Sequence, residues 1–227
     1  KAQFASSEAP ADATFLLTDP DFMRNHKGIG KWVVSGLQES MLPSKYAFNQ
    51  EAPNTFYVGM GQMNNWPDKY TRSYGSYWIA SIRNLGNNAK ANGSVMQKVN
   101  VLKKGWYKVS CNGFYNADRG SNMVSSLFAR VQGTNKGISN VSAPLNKFNH
   151  EFTYTKEDLL RLYDEDNLPT GKNPRVSPYA NAGIQFENGK YNNTILVYVP
   201  KDNAVLNIGI EITGSTEDCD WTCWDNF

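Results

Sequence analysis

The sequence predicts an all-β fold, an antiparallel β-sandwich with one short helical insertion. Three observations carry that expectation. Apolar and polar residues alternate with period two along most of the chain, the pattern of strands with one buried face. Turn-forming Gly, Pro, Asn and Asp punctuate those runs. The composition is rich in residues that suit pleated surfaces, with 12 Tyr, 11 Phe and 6 Trp.

Taken in order, Ala5 to Ala13 is small, polar and Pro-containing, and reads as a flexible lead-in over residues 1–13. Thr14-Phe15-Leu16-Leu17 reads as a first strand ending at Asp19-Pro20-Asp21, and Trp32-Val33-Val34-Ser35 as a second. Thr55 to Met60 and Tyr77 to Ile82 are the next strands, separated by a turn-rich aromatic segment from Gly61 to Ser76. Ser94 to Val101 and Trp106 to Cys111 flank Leu102-Lys103-Lys104-Gly105, whose glycine can supply the positive φ of a hairpin turn. Val124 to Gln132, Gly183 to Phe186, Thr194 to Val199 and Val205 to Ile212 complete the strands, with Pro200 to Asn203 as a turn between the last two. Thr155 to Tyr163 departs from the rhythm. A threonine N-cap, acids in the first turn and leucines at helical spacing predict a short helix. About ten strands, no internal repeat and no dividing linker argue for a single sandwich over residues 14–227.

A chain of 227 residues can bury a sizeable core. Its formal net charge of +2 is spread over both signs, so nothing points to nucleic acid or an anionic membrane. No run approaches the roughly 20 apolar residues of a membrane span. Lys1 to Phe4 has no apolar stretch behind it and does not read as a signal peptide. Cys111, alternating with Tyr107 and Val109, reads as a small buried hydrophobe, and Cys219 and Cys223 either close a small disulfide loop or stay free. His26 and His150 have no zinc-ligand spacing to the cysteines.

Several blocks resemble a known family. Ala13 to Phe22 followed by Trp32, Val95 to Val99 with Leu102, Gly105, Tyr107 and Gly113-Phe114-Tyr115, Phe186 to Tyr191, Ile208-Gly209-Ile210, and Trp221 to Phe227 occur in one order. Together they are similar to the galactose-binding-like jelly-roll domains of exported glycan-utilisation proteins from gut Gram-negative anaerobes. The resemblance implies a jelly roll, export to the cell surface or periplasm, and carbohydrate binding without catalysis. It also implies a structural Ca²⁺ where the first strand's end meets the last strand, with Asp19, Asp21 and Asp225 as ligands. Against that, turn capping explains Asp19 and Asp21 as well. Three positions depart from the family pattern: Asp19 replaces Asn, Met23 replaces Glu, and Asn116 stands where Arg is frequent.

Sugar recognition needs aromatic faces and planar polar groups. Asn64, Trp66, Tyr70, Arg72 and Tyr74 supply both within one loop and are the first candidates; the competing reading is that these aromatics cover a core edge. Asp118 and Arg119, beside Gly120, form a second candidate or an ordinary turn with a local ion pair. Trp106, Trp221 and Trp224 read as core, and Trp32 is open. Acids that could serve a glycosidase, Glu151, Glu157, Asp158, Asp164, Glu165 and Asp166, cluster on the helix and its following loop and read as a solvated face. No catalytic Ser elbow, P-loop or zinc-protease pattern occurs. The expected function is a non-catalytic carbohydrate-binding module. The alternatives are a protein assembly or adhesion module and, more remotely, a jelly-roll polysaccharide lyase-like enzyme.

Overall fold

Alternation becomes pairing in eleven strands of a computed structural model that describes residues 11–18, 20, 32–36, 58–60, 78–83, 91–117, 119–150, 152–160, 178–215 and 220–227. In chain order they are β1 (Val33–Ser35), β2 (Val58–Met60), β3 (Trp78–Arg83), β4 (Ala91–Val101), β5 (Gly105–Asn116), β6 (Val124–Val131), β7 (Asn140–Pro144), β8 (Asn146–Lys147), β9 (Asn192–Val199), β10 (Ala204–Ser215) and β11 (Trp221–Asp225). One sheet runs β1-β4-β10-β6-β7; the other runs β2-β3-β11-β5-β8, with β9 also paired to β5. Every pairing is antiparallel except the two-residue match of β8 with Phe114 and Tyr115. The protein is an all-β antiparallel sandwich.

The inward phase of each strand builds the core. Val95, Val99 and Val101 of β4, Ile208, Ile210 and Ile212 of β10 and Leu127 of β6 meet Val109 and Cys111 of β5, Val197 of β9 and Trp224 of β11. Burying each large aliphatic side chain contributes about 1.5–3 kcal/mol before entropy is charged against it. Gly113 makes room for the tryptophan, since a Cβ there would lie 3.2 Å from both Trp224 Cβ and the Cys223 carbonyl oxygen.

The expected β4–β5 hairpin does not form. β4 and β5 lie in opposite sheets, and residues 102–104 cross between them. Residues 200–203 make the same crossing from β9 to β10, so the two crossings stack. The Lys104 N–H donates to Asp202 Oδ1 (2.8 Å), Lys103 Nζ reaches Asp202 Oδ2 (3.3 Å), and the Asn203 N–H donates to the Leu102 carbonyl (3.3 Å). The bonds from the Lys104 amide and then the Lys103 ammonium hold the Asp202 carboxyl below the usual carboxylate range. The turn's polar groups are thereby satisfied by the neighbouring crossing instead of by a hairpin.

Two further expectations are corrected. Thr14–Leu16 is a 3-10 turn, not a strand: Asp12 Oδ1 accepts the Thr14 N–H (2.9 Å), and the Leu16 and Leu17 amides fold back to Ala13 and Thr14 carbonyls. Residues 183–186 lie in a helix, Pro178–Glu187, because proline is well placed in a first helical turn and because four alternating residues cannot distinguish strand from helix. That helix ends in a Schellman motif. Gly189 (φ +70°) donates to the Phe186 carbonyl and Lys190 to Gln185.

The helix expected over 155–163 is observed as Lys156–Leu160, here α1, which makes Pro178–Glu187 α2. Its start is a reciprocal capping box: Thr155 Oγ1 accepts the Asp158 N–H (3.1 Å) and Asp158 Oδ2 accepts the Thr155 N–H (2.9 Å). Asp158 is buried and also accepts from Asn188 Nδ2 (2.9 Å), so it is a structural acid and not part of a solvated face.

At the chain's tail, the Phe227 N–H donates to the Pro20 carbonyl (2.9 Å), and its ring packs on buried Trp32 with centroids 4.8 Å apart. Beside this closure, Gln97 of β4 is 1% exposed and clamps Thr18, its Oε1 accepting the Thr18 N–H (2.8 Å) and its Nε2 donating to the Thr18 carbonyl (2.9 Å). Gln97→Leu keeps the apolar stem but orphans both Thr18 groups, and is expected to cost about 1–3 kcal/mol. Urea unfolding checks the loss, and limited proteolysis should open residues 11–18 first. Unchanged stability and cleavage would remove the clamp from the account.

Candidate functional site

β5 is twelve residues long and alternates from Gly105 to Gly113, after which Phe114 and Tyr115 are buried on both faces. Tyr107, Val109 and Cys111 belong to the packed interior, which forces Trp106, Lys108, Ser110 and Asn112 onto the outer face. Antiparallel register with β9 sets Trp106 opposite Tyr198, Lys108 opposite Leu196, Ser110 opposite Thr194 and Asn112 opposite Asn192. The result is a two-strand stripe with an aromatic pair at one end, a cation and an aliphatic next, then hydroxyls, then amides.

The aromatic end is open to solvent. Trp106 is 59% exposed and Leu196 57%, and the Trp106 and Tyr198 rings lie 5.4 Å apart at 56°. Trp106 was expected in the core, and its outward position is a correction. An exposed Trp held against a neighbouring Tyr is a pre-set apolar face with polar edges, chemistry suited to the C–H face of a ring-shaped polar ligand. Leu102, 62% exposed, lies in the crossing next to this end.

The amide end is different. Asn112 Nδ2 donates to Asn192 Oδ1 (2.7 Å) and to the Lys190 carbonyl (3.3 Å). Asn192 Nδ2 donates to the Gly189 carbonyl (3.0 Å), and Asn226 Nδ2 to Asn112 Oδ1 (3.2 Å). These amides hold one another.

Farther along the same outer face of β5 a second core covers the sheet. Phe114 is fully buried beneath Ala182 and Phe186 of α2, with Phe148, Tyr191 and Trp221 packed around it. Trp221 meets Phe114 edge-on at 5.1 Å. The core reading therefore holds for Trp224 in the main interior, and Trp221 is partly buried against this second cluster. Asn116, where the family pattern favours Arg, bonds His150 Nε2 through its Oδ1 (2.9 Å).

The loop candidates Asn64, Trp66, Tyr70, Arg72 and Tyr74 lie outside the described residues, as does Asp118. Arg119 is exposed, beside Gly120 at φ +95°. Of the calcium candidates, Asp19 and Asp21 lie outside the described residues. Asp225 is 3% exposed, and its Oδ1 accepts the Asn226 N–H (2.8 Å). Among the described residues no group of three His, Cys, Asp or Glu side chains could hold a metal ion.

Cys111 and Cys223 are buried free thiols, and Cys219, the other end of the expected small loop, lies outside the described residues. Burial, reinforced by the nearby Asp225 charge, pushes both thiols up. Neither is a reactive thiolate. No helix among the described residues is long and apolar enough to cross a membrane.

The likeness to a galactose-binding-like domain rests on the residues quoted above: no family model matches the chain, and no curated protein matches it. The β5–β9 stripe was missed although its signal was present in the sequence. Once Cys111, Val109 and Tyr107 are assigned inward, period two leaves Trp106 no inward position.

Proposed function

We propose that this protein is a non-catalytic carbohydrate-binding module of an exported or cell-surface protein, with the Trp106–Tyr198 pair as its sugar-stacking platform. One observation carries the reading: a tryptophan 59% exposed, braced by a tyrosine on a rigid sheet and followed along the same face by donors. Saccharide rings present an apolar face that matches an exposed indole. The apolar surface gives way within one register step to Lys108, then Ser110 and Thr194. That mixture suits a polyhydroxylated ligand better than a broad protein interface, whose centre would be depleted of charge.

A glycan-array screen with wild type, Trp106→Ala and Trp66→Ala tests this. Trp106→Ala is expected to weaken glycan binding at least about tenfold, as loss of an aromatic anchor does, with little change in melting midpoint because the side chain is mostly solvated. Loss with Trp66→Ala alone would move the site to residues 64–77. Wild-type protein that binds no glycan, but captures a protein partner through Trp106, would replace this reading with the assembly module.

A further inference from the structure

We infer that the β5–β9 stripe selects saccharides that carry an anionic group, a carboxylate or a sulfate, with Lys108 as the residue that reads it. The inference rests on the carbohydrate reading and adds the ligand's charge class.

Charge class follows from which polar groups on the stripe are still available. Neutral sugar hydroxyls are best read by planar amides and carboxylates, which donate and accept at fixed angles. On this face the planar amides Asn112 and Asn192 are bonded to each other and to main-chain carbonyls. At the opposite end the Asp202 carboxylate is held by the Lys104 amide and the Lys103 ammonium.

Left over between these ends are Lys108, Ser110 and Thr194, all exposed. Lys103 pairs with Asp202 and Arg130 with Glu211, while no described carboxylate pairs with Lys108. Lys104 and Lys190, also exposed, stand at the two ends of the stripe and add positive charge beside it although the chain is nearly neutral.

Geometry then ties charge to platform. Trp106 and Lys108 are two residues apart on one face, a separation of about 6.7 Å along the strand, which the lysine stem spans easily. A ring stacked on Trp106 and Tyr198 would set an acidic substituent, on itself or on the next ring, within reach of the ammonium. Ser110 and Thr194 would donate or accept one step farther on. A charge-assisted bond of this kind is stronger than a neutral one, so it decides between ligands of equal stacking area.

The test is calorimetric titration with three oligosaccharides of equal length: an oligogalacturonate (carboxylate), a sulfated galactan oligomer (sulfate) and a neutral galactan oligomer. Wild type is expected to bind one or both acidic ligands at least about tenfold more tightly than the neutral one, with affinity falling as salt rises. The preferred acid identifies the source of the charge. Lys108→Met should abolish that preference, Lys108→Arg should keep most of it, and neither should shift the melting midpoint. If the neutral oligomer binds as well as the acids, is lost with Trp106→Ala and is indifferent to Lys108→Met, the charge inference is overturned and the platform stands. If none of the three binds while a glycan array is also blank, the carbohydrate reading falls and this inference falls with it.

Discussion

Gly209→Ala is expected to be among the most destabilising single-methyl additions in this protein, costing about 3 kcal/mol or more. Gly209 lies in the middle of β10, paired on one side with Met96 of β4 and on the other with Phe128 of β6. A Cβ at this position would fall 2.8 Å from Met96 Cα and 2.9 Å from Val95 C, and would collide outright with the Val95 carbonyl oxygen. All three atoms belong to backbone, so no side chain can rotate out of the way. β10 is hydrogen-bonded on both edges, so relief requires breaking ladder bonds with one neighbour or both.

Two control substitutions separate this collision from the general cost of changing a glycine. Gly113→Ala meets Trp224 Cβ and the Cys223 carbonyl at 3.2 Å and should cost about 1–2 kcal/mol. Gly133→Ala has open space and only its φ of +85° to oppose it, and should cost about 1 kcal/mol. Urea denaturation of the three variants gives the order directly. A Gly209→Ala midpoint as high as that of Gly133→Ala would refute the close-approach account.

Asn193→Asp is the second large effect, again about 3 kcal/mol or more. Asn193 is 8% exposed and spends its whole amide on three separate segments. Its Nδ2 donates to the Gly113 carbonyl (2.8 Å) and the Tyr191 carbonyl (2.7 Å), while its Oδ1 accepts from the Asn146 N–H (2.9 Å) and Asn146 Nδ2 (3.0 Å). The side chain thus pins β9, the centre of β5 and the parallel strand β8 at one point. Aspartate is nearly the same shape, but it would turn an acceptor toward two buried carbonyls that need a donor. The cost is electrostatic and cannot be relieved by repacking. Asn192→Asp, one residue away and exposed, should cost less than about 1 kcal/mol. Hydrogen exchange gives the specific signature: the Asn146 amide, and the Phe148 amide that donates to Tyr115, should lose protection before the rest of the sheet. Equal costs at 192 and 193 would dismiss the hub.

Much of this architecture is legible in the residues. Thr155 and Asp158 announce a capping box three residues apart, and the helix begins there. Val95, Val99 and Val101 keep one phase along β4, and all three are buried. Gly209 and Gly113 sit in blocks quoted for the family likeness, and the backbone approach each permits gives those blocks a physical basis. The misread segments are those where a short pattern is degenerate. Gly183 to Phe186 alternates like a strand, yet Pro178 and Gly189 bound a helix. Leu102 to Gly105 looks like a hairpin turn, yet Asp202, 98 residues away from Lys104, takes its amide and makes it a crossing.

By itself the sequence determined phase: which residues of β5 share a face, with Tyr107, Val109 and Cys111 on one side and Trp106, Lys108 and Phe114 on the other. Tertiary structure alone decided what becomes of that second side. α2 and the Phe148 to Tyr191 aromatics close over Phe114, which is fully buried, while nothing described covers Trp106, which is 59% exposed. The physical reason is that side-chain direction follows from local backbone geometry, which successive residues fix among themselves. Burial depends on elements that arrive from far along the chain, and no local pattern encodes where they land.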